Sequence, residues 1–315
     1  METVNIQSGK DILKMFENEE AQPRQIFGRY IHEGELCIFF GDSNTGKSIL
    51  ANDIAYFTAG GGHEWVDMKS PNIPTLYIDM EMTARQFASR YHNAADYIPD
   101  NYSRAEVNTL SCEEEDKTFD FLRREIILAQ GKPNPPKFII IDNITNGFGS
   151  IFSAKKMRSL ITELKTLKSR FGLTILIIAH CPKRKKDKPI DQNDLGGSKM
   201  IMDFVDSAFA IAPTPYDESI KYIKQIKVRT GKKMNDVMLV QITPKPYLSF
   251  KFLSYAKEEQ CLSYTMSIDL TPLITPEKEI KVLEMLVDNK TSFEIAEACD
   301  LPIFAVLQYK MNNDL

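Results

Sequence analysis

Eight residues constrain this chain more than any other stretch: Gly41-Asp42-Ser43-Asn44-Thr45-Gly46-Lys47-Ser48. An apolar run, Leu36-Cys37-Ile38-Phe39-Phe40, leads into them. A helix-compatible run, Ile49-Leu50-Ala51-Asn52-Asp53-Ile54-Ala55, follows. Strand, GxxxxGK[ST] and helix in that order make a P-loop. Gly41 and Gly46 let the backbone curl so that successive N–H groups face inward onto phosphate oxygens, helped by the positive end of the next helix. Lys47 is placed to pair with β- and γ-phosphates, and Ser48 to ligate Mg²⁺. The segment Gly41 to Ile49 is therefore expected to bind a nucleoside triphosphate, on an α/β fold.

Composition limits the setting. At 315 residues the chain can hold one large α/β domain and a small appendage. No stretch nears the roughly 20 uninterrupted apolar residues of a membrane helix, and Met1-Glu2-Thr3-Val4 starts no signal pattern. Five cysteines without paired spacing read as reduced thiols rather than a disulfide frame or zinc site, so a cytoplasmic location without membrane association is expected. A net charge of −4 argues against a generally basic nucleic-acid coat but leaves room for a local basic channel.

Further candidates fall at strand ends. Residues 1–30 form a leading segment with a short helix near Asp11–Phe16, broken by Pro23. The strand Thr75–Asp79 runs into Met80-Glu81-Met82, where open α/β sheets place ligands. Glu81 is either a base orienting a water or a carboxylate at the start of a helix from Thr83 to Ala95. Acidic residues Glu113–Asp116 open an amphipathic helix through Ile127. Phe138-Ile139-Ile140-Ile141-Asp142 is a continuous apolar run suited to a doubly covered parallel strand. Its terminal Asp142 stands where a Walker B aspartate meets Mg²⁺. A loop follows, then a helix over 157–170. The strand Thr174–Ala179 ends at His180, a structural histidine or one that hydrogen-bonds the γ-phosphate. Lys183, Arg184, Lys185, Lys186 and Lys188 make the most basic stretch, a solvated loop or a phosphodiester contact. Alternating strands around Tyr222–Arg229 and Val237–Ile242 suit an antiparallel extension of the sheet.

Taken in order, Gly41–Ser48, Tyr77-Ile78-Asp79-Met80-Glu81, Ile139–Asp142, Ile178-Ala179-His180, Gly197-Ser198, Asp206-Ser207 and Lys227-Val228-Arg229-Thr230-Gly231 resemble the RecA-like ATPases, nearest the RepA-type and DnaB-type hexameric helicases. The resemblance covers roughly residues 25–250. It implies ATP and Mg²⁺ as cofactors, Glu81 as catalytic carboxylate, Asp142 as Walker B aspartate and His180 as γ-phosphate sensor. It also implies that Lys227 and Arg229, a K-x-R element, reach into a neighbouring subunit's site, in a homo-oligomer, a hexamer, on single-stranded DNA. Loops 143–156 and 181–197 take the channel positions. No primase-binding domain is recognisable before the P-loop, and the first channel loop lacks an aromatic–basic pattern.

The expected organisation is a leading segment (1–30), a RecA-like ATPase domain (31–250) with a mostly parallel sheet and antiparallel late strands, a linker (251–275) and a helix-turn-helix-like module (276–315). In that module Ile280, Leu283, Leu286 and Val287 form the stripe of the first helix. The last helix offers Gln308, Lys310, Asn312 and Asn313 as polar contacts, without arginine. The expected function is a helicase of plasmid or mobile-element replication. The alternatives are a regulatory or recombination ATPase that uses ATP as an assembly switch, and a small-molecule kinase, for which no acceptor pocket or lid is legible and Lys227 and Arg229 have no task.

Overall fold

A computed structural model describes residues 8–15, 23–107, 115–144, 154–181, 188–195, 198–262, 270 and 272–313. Helix α1 (Gly9–Met15) and a two-stranded ribbon, β1 (Gln25–Phe27) with β2 (Ile31–His32), come first. The P-loop strand β3 (Leu36–Gly41) and helix α2 (Lys47–Thr58) follow. Next come β4 (Thr75–Asp79), α3 (Ala84–Arg90), β5 (Tyr102–Glu106), α4 (Glu115–Gln130), β6 (Phe138–Asp142), α5 (Ala154–Phe171) and β7 (Thr174–His180). Helix α6 (Ser198–Phe204) leads to β8 (Ser207–Pro213), β9 (Ile220–Lys227), β10 (Val237–Thr243) and β11 (Ser249–Ala256).

Nine of these strands form one sheet in the order β11-β10-β9-β8-β3-β7-β6-β4-β5. From β8 to β5 neighbours are parallel, and β9, β10 and β11 extend the sheet antiparallel, as the alternating late runs suggested. Strands apolar at every position have no polar side to give to water, so both faces must be covered. Alternate residues of β3 show this. Leu36, Ile38 and Phe40 pack with Leu122 and Ile126 of α4 and Leu160, Ile161 and Leu164 of α5. Cys37 and Phe39 pack with Leu50 and Ile54 of α2. Such crossovers bring the C-terminal ends of β3, β7, β6 and β4 to one edge.

Two features of the sheet edges had no local signal in the sequence. Strand β5 had no apolar run to announce it: Tyr102–Glu106 is a half-exposed edge strand held by β4, with a polar sequence typical of edges. The sheet also runs past 250, because β11 pairs with β10 as far as Ala256.

Three C-terminal helices follow, α7 (Pro276–Val287), α8 (Ser292–Ala298) and α9 (Ile303–Asn312), and the first two are capped: the Lys278 amide donates to the Thr275 hydroxyl at 3.4 Å, and Thr291 and Glu294 form a capping box. The packing differs from the expected stripe. Ile280, Leu283 and Val287 are exposed, and Val282 is the fully buried residue of α7. This helix is apolar on two faces, and periodicity alone does not say which one meets α8 and α9. In α9 every residue from Ile303 to Tyr309 is buried, Gln308 included. A helix apolar all round becomes the core of its module, so α9 does not offer the open face that groove reading requires.

Candidate nucleotide site

The P-loop leaves β3 at Gly41, which is in register with His180 at the end of β7. Gly46 has φ of 88°, in the left-handed region, and a Cβ there would come within 2.8 Å of the Phe250 ring. The turn into α2 therefore needs glycine twice over. The Thr45 hydroxyl donates to the Asp42 carbonyl at 2.8 Å and braces the curl. Lys47 is buried, and its Nζ donates to the carbonyls of Gly41 at 3.0 Å and Asp42 at 2.6 Å. Burial pushes its pKa down, so the ammonium is held over the loop by carbonyl oxygens that a phosphate can replace.

Asp142 ends β6 beside Asp79, its register partner at the end of β4. It is buried, and the Tyr77 hydroxyl donates to its Oδ2. Burial raises its pKa to about 6, against the opposing influence of the Tyr77 and Ser48 hydroxyls. Its Oδ1 has no hydrogen-bond partner among the described residues. A serine hydroxyl beside an orphaned carboxylate oxygen is an oxygen donor set suited to Mg²⁺, so Ser48 and Asp142 fit the cation a nucleotide would bring.

Glu81, His180 and Asn143 meet between these strand ends. His180 Nε2 lies 3.3 Å from Glu81 Oε1 and 2.8 Å from Asn143 Nδ2, and Asn143 Nδ2 also donates to Glu81. Protonated, Nε2 donates to Glu81; deprotonated, it accepts from Asn143. The hydrogen bond from His180 is the main influence holding the Glu81 carboxyl below its usual range. His180 Nδ1 is buried without a partner among the described residues.

Glu81 is aimed by residues that the sequence did not single out. Asp79 is fully buried, and its Oδ1 accepts the amides of Glu81 at 3.0 Å and Met82 at 2.8 Å. Its Oδ2 takes a two-pronged contact from Arg104, at 3.1 Å from Nε and 2.8 Å from a terminal nitrogen. Arg104 also donates to the Met82 carbonyl and lies over the Phe87 ring. The helix-start role weighed for Glu81 belongs instead to Thr83 and Gln86, which form the capping box of α3. Asp79 had a legible signal, a carboxylate two residues before a turn amide. Arg104 had none, because β5 itself was not legible.

Lys227 and Arg229 stand elsewhere. Lys227 pairs with Ala208 at the start of β8, the edge of the sheet opposite the P-loop. Its Nζ donates to the carbonyls of Met202 at 2.5 Å and Val205 at 2.9 Å, at the end of α6. Arg229, largely exposed, is ion-paired to Asp206. Asp206 in turn accepts the Leu36 amide at 2.9 Å and Lys168 at 2.9 Å. The length of β3, six residues, lies between Leu36 and Gly41, about 17 Å at the usual strand rise. Of the expected DNA contacts, Lys188 is exposed. Lys183, Arg184, Lys185 and Lys186 lie outside the described residues, as does most of loop 143–156.

Known proteins agree with this frame. A KaiC-like protein from Pyrococcus horikoshii aligns with a TM-score of 0.50 at 15% identity, covering 71% of this chain and 91% of its own. The flagellar accessory protein FlaH from Methanocaldococcus jannaschii aligns with a TM-score of 0.50 at 15% identity, covering 78% and 97%. Both are likenesses of fold. No curated protein sequence matches the chain. Among the described residues no helix is long and apolar enough to cross a membrane. Residues 4–186, more than half the chain, match the family described as AAA domain. With its P-loop, acidic strand ends and mixed nine-stranded sheet, the chain belongs to this family of ATPases and has a RecA-like core.

Proposed function

We propose that this protein is an ATP-hydrolysing, RepA-like helicase or translocase that assembles as a ring of identical subunits on DNA, in replication of a plasmid or mobile element. The observation carrying this reading is the separation of Arg229 from Lys47 by the length of the sheet. An exposed arginine on the far edge is too distant for its own P-loop and is free to serve a neighbour's. That arrangement has a purpose only in an assembly closed head to tail.

Within one site the P-loop amides and Lys47 would hold the triphosphate. Ser48 and Asp142 would hold Mg²⁺, which when bound neutralises charge on the β- and γ-phosphates. Glu81 orients the attacking water through the oxygen that His180 and Asn143 also engage. As charge grows on the transferred phosphoryl group, Arg229 of the next subunit leaves Asp206 to meet it. Arginines so placed contribute about 10³–10⁵ in rate. Lys227 gives up the end of α6 to follow, and Lys188 with its basic neighbours in sequence faces the DNA backbone.

The alternative is an ATPase that uses nucleotide as an assembly switch without strand separation. The exposed apolar residues Ile280, Leu283 and Val287 favour it, because they offer a surface for a protein partner. Strand displacement on a forked duplex, run beside the ATPase rate with and without single-stranded DNA, separates the two. The helicase unwinds with one polarity. ATP turnover stimulated by DNA with no displacement on any fork would favour the switch.

A further inference from the structure

The edge of the sheet opposite the P-loop carries a cavity of about 590 Å³, within the usual range of about 300–1,000 Å³ for small-molecule pockets. Three parts of the chain wall it: the turn after β1, the Asp67–Met68 turn, and the β9–β10 hairpin with the end of β11 facing it. Its charge is unbalanced. Arg29, Lys232 and Lys233 line it, and none of the three has an ion pair or a side-chain hydrogen bond among the described residues. Lys257 also lines it but is paired with Asp236, which leaves Asp67 as the remaining carboxylate. Three cations sharing one concave space with a single counter-charge repel one another, and less water screens them there than on a flat surface.

The floor supplies a second, independent observation. Tyr30 lines the cavity at 2% exposure, and its hydroxyl has no hydrogen-bond partner among the described residues. Tyr255 lines the same space, close enough for the two phenols to interact electrostatically. A buried hydroxyl normally finds a partner, because leaving it unpaired costs about 1–3 kcal/mol. A guanidinium and two ammonium groups line one space, and an orphaned hydroxyl lies buried in its wall: donors without an acceptor. A phosphate group supplies the missing charge and oxygens together.

We propose that this cavity is a second anion site, which binds a small phosphorylated molecule at the edge of the sheet remote from the P-loop. A concave space of this volume favours a small ligand over an extended nucleic-acid backbone. Lys232 and Lys233 sit in the hairpin that begins just after Arg229. A ligand that draws them inward also settles the segment carrying Arg229. That coupling rests on the trans role proposed for Arg229; the binding itself does not.

The test uses the full chain with Lys47→Ala, to silence the P-loop, and pyrophosphate as the probe in calorimetry. One pyrophosphate per chain is expected. The affinity should fall at least tenfold on adding Lys232→Ala and Lys233→Ala, which alter exposed side chains, and severalfold on adding Tyr30→Phe. Bound pyrophosphate should also shield Lys232 and Lys233 from acetylation, read by mass spectrometry. No binding in the Lys47→Ala chain, or binding indifferent to the double substitution, overturns the proposal. So does displacement of pyrophosphate by a short single-stranded oligonucleotide, which would reassign the lysines to nucleic acid. If Arg229→Ala proves harmless to turnover while pyrophosphate still binds, the trans role fails and the anion site stands.

Discussion

His180 Nε2 lies 3.3 Å from Glu81 Oε1, across the gap between the end of β7 and the turn after β4. Two residues 99 positions apart in sequence thus share one hydrogen bond, with Asn143 reaching both. A carboxylate held this way stays ionised and aimed. In the proposed mechanism it is the base, released when His180 turns toward a phosphate.

Glu81→Gln keeps the shape of the side chain and removes its charge. Turnover should fall at least a hundredfold, about 2.7 kcal/mol, while ATP affinity stays within a few-fold. His180→Ala should lower turnover less and leave a measurable rate. Steady-state ATPase kinetics beside nucleotide binding check both, and a Glu81→Gln chain with near-normal turnover would remove Glu81 as the base.

Asp142 yields a prediction about pH. Burial raises its pKa from 3.8 to about 6, so the folded chain holds this proton more tightly than the unfolded one. The carboxyl therefore costs no stability below pH 4, costs progressively more as the pH rises toward 6, and has a constant cost above that. The full shift is worth about 3 kcal/mol. Asp142→Asn should unfold at higher denaturant than the wild type at pH 8, with the advantage vanishing near pH 4, and should lose Mg²⁺-dependent ATP turnover. Urea unfolding of the ligand-free chains at both pH values reads the first part, and equal midpoints at pH 8 would contradict it.

Arg229→Ala should leave ATP binding nearly intact and cut turnover at least a hundredfold, about 2.7 kcal/mol. Lys47→Ala should abolish hydrolysis. Mixed together, the two inactive chains should regain activity, because one supplies the P-loop and the other the guanidinium. A mixture as dead as its parts, under conditions where mass measurement shows mixed assemblies, would rule out sharing of sites.

Arg104→Ala should both destabilise the fold and impair catalysis. It strips the partner from the fully buried Asp79, and breaking a buried pair costs about 3–5 kcal/mol. It also loosens the turn that sets Glu81. Chemical unfolding and turnover should fall together, and replacing Asp79 with Asn in the same chain should recover stability ahead of activity.

The legible parts of this molecule are those whose signal is local. The P-loop is written in consecutive residues because backbone amides do the binding and glycine is needed where they curl. The strand ends at Asp142 and His180 showed because unbroken apolar runs point to doubly covered parallel strands. Strand β5, the pairing of β11 and the inward face of α7 were not legible. Each depends on which neighbour arrives, and Tyr102–Glu106 becomes a strand only because β4 presents an open edge.

By itself the sequence determined the nucleotide cradle, the class of fold and the list of acidic and basic candidates, since these follow from residue type at short spacing. Tertiary structure alone decided which candidates meet. Sheet order brings Glu81, Asn143 and His180 to one edge, and Arg104 to the carboxylate that aims Glu81. The antiparallel return of β9 carries Lys227 and Arg229 to the other edge. Contacts between distant strands depend on packing the whole sheet at once, and no short stretch of residues encodes that.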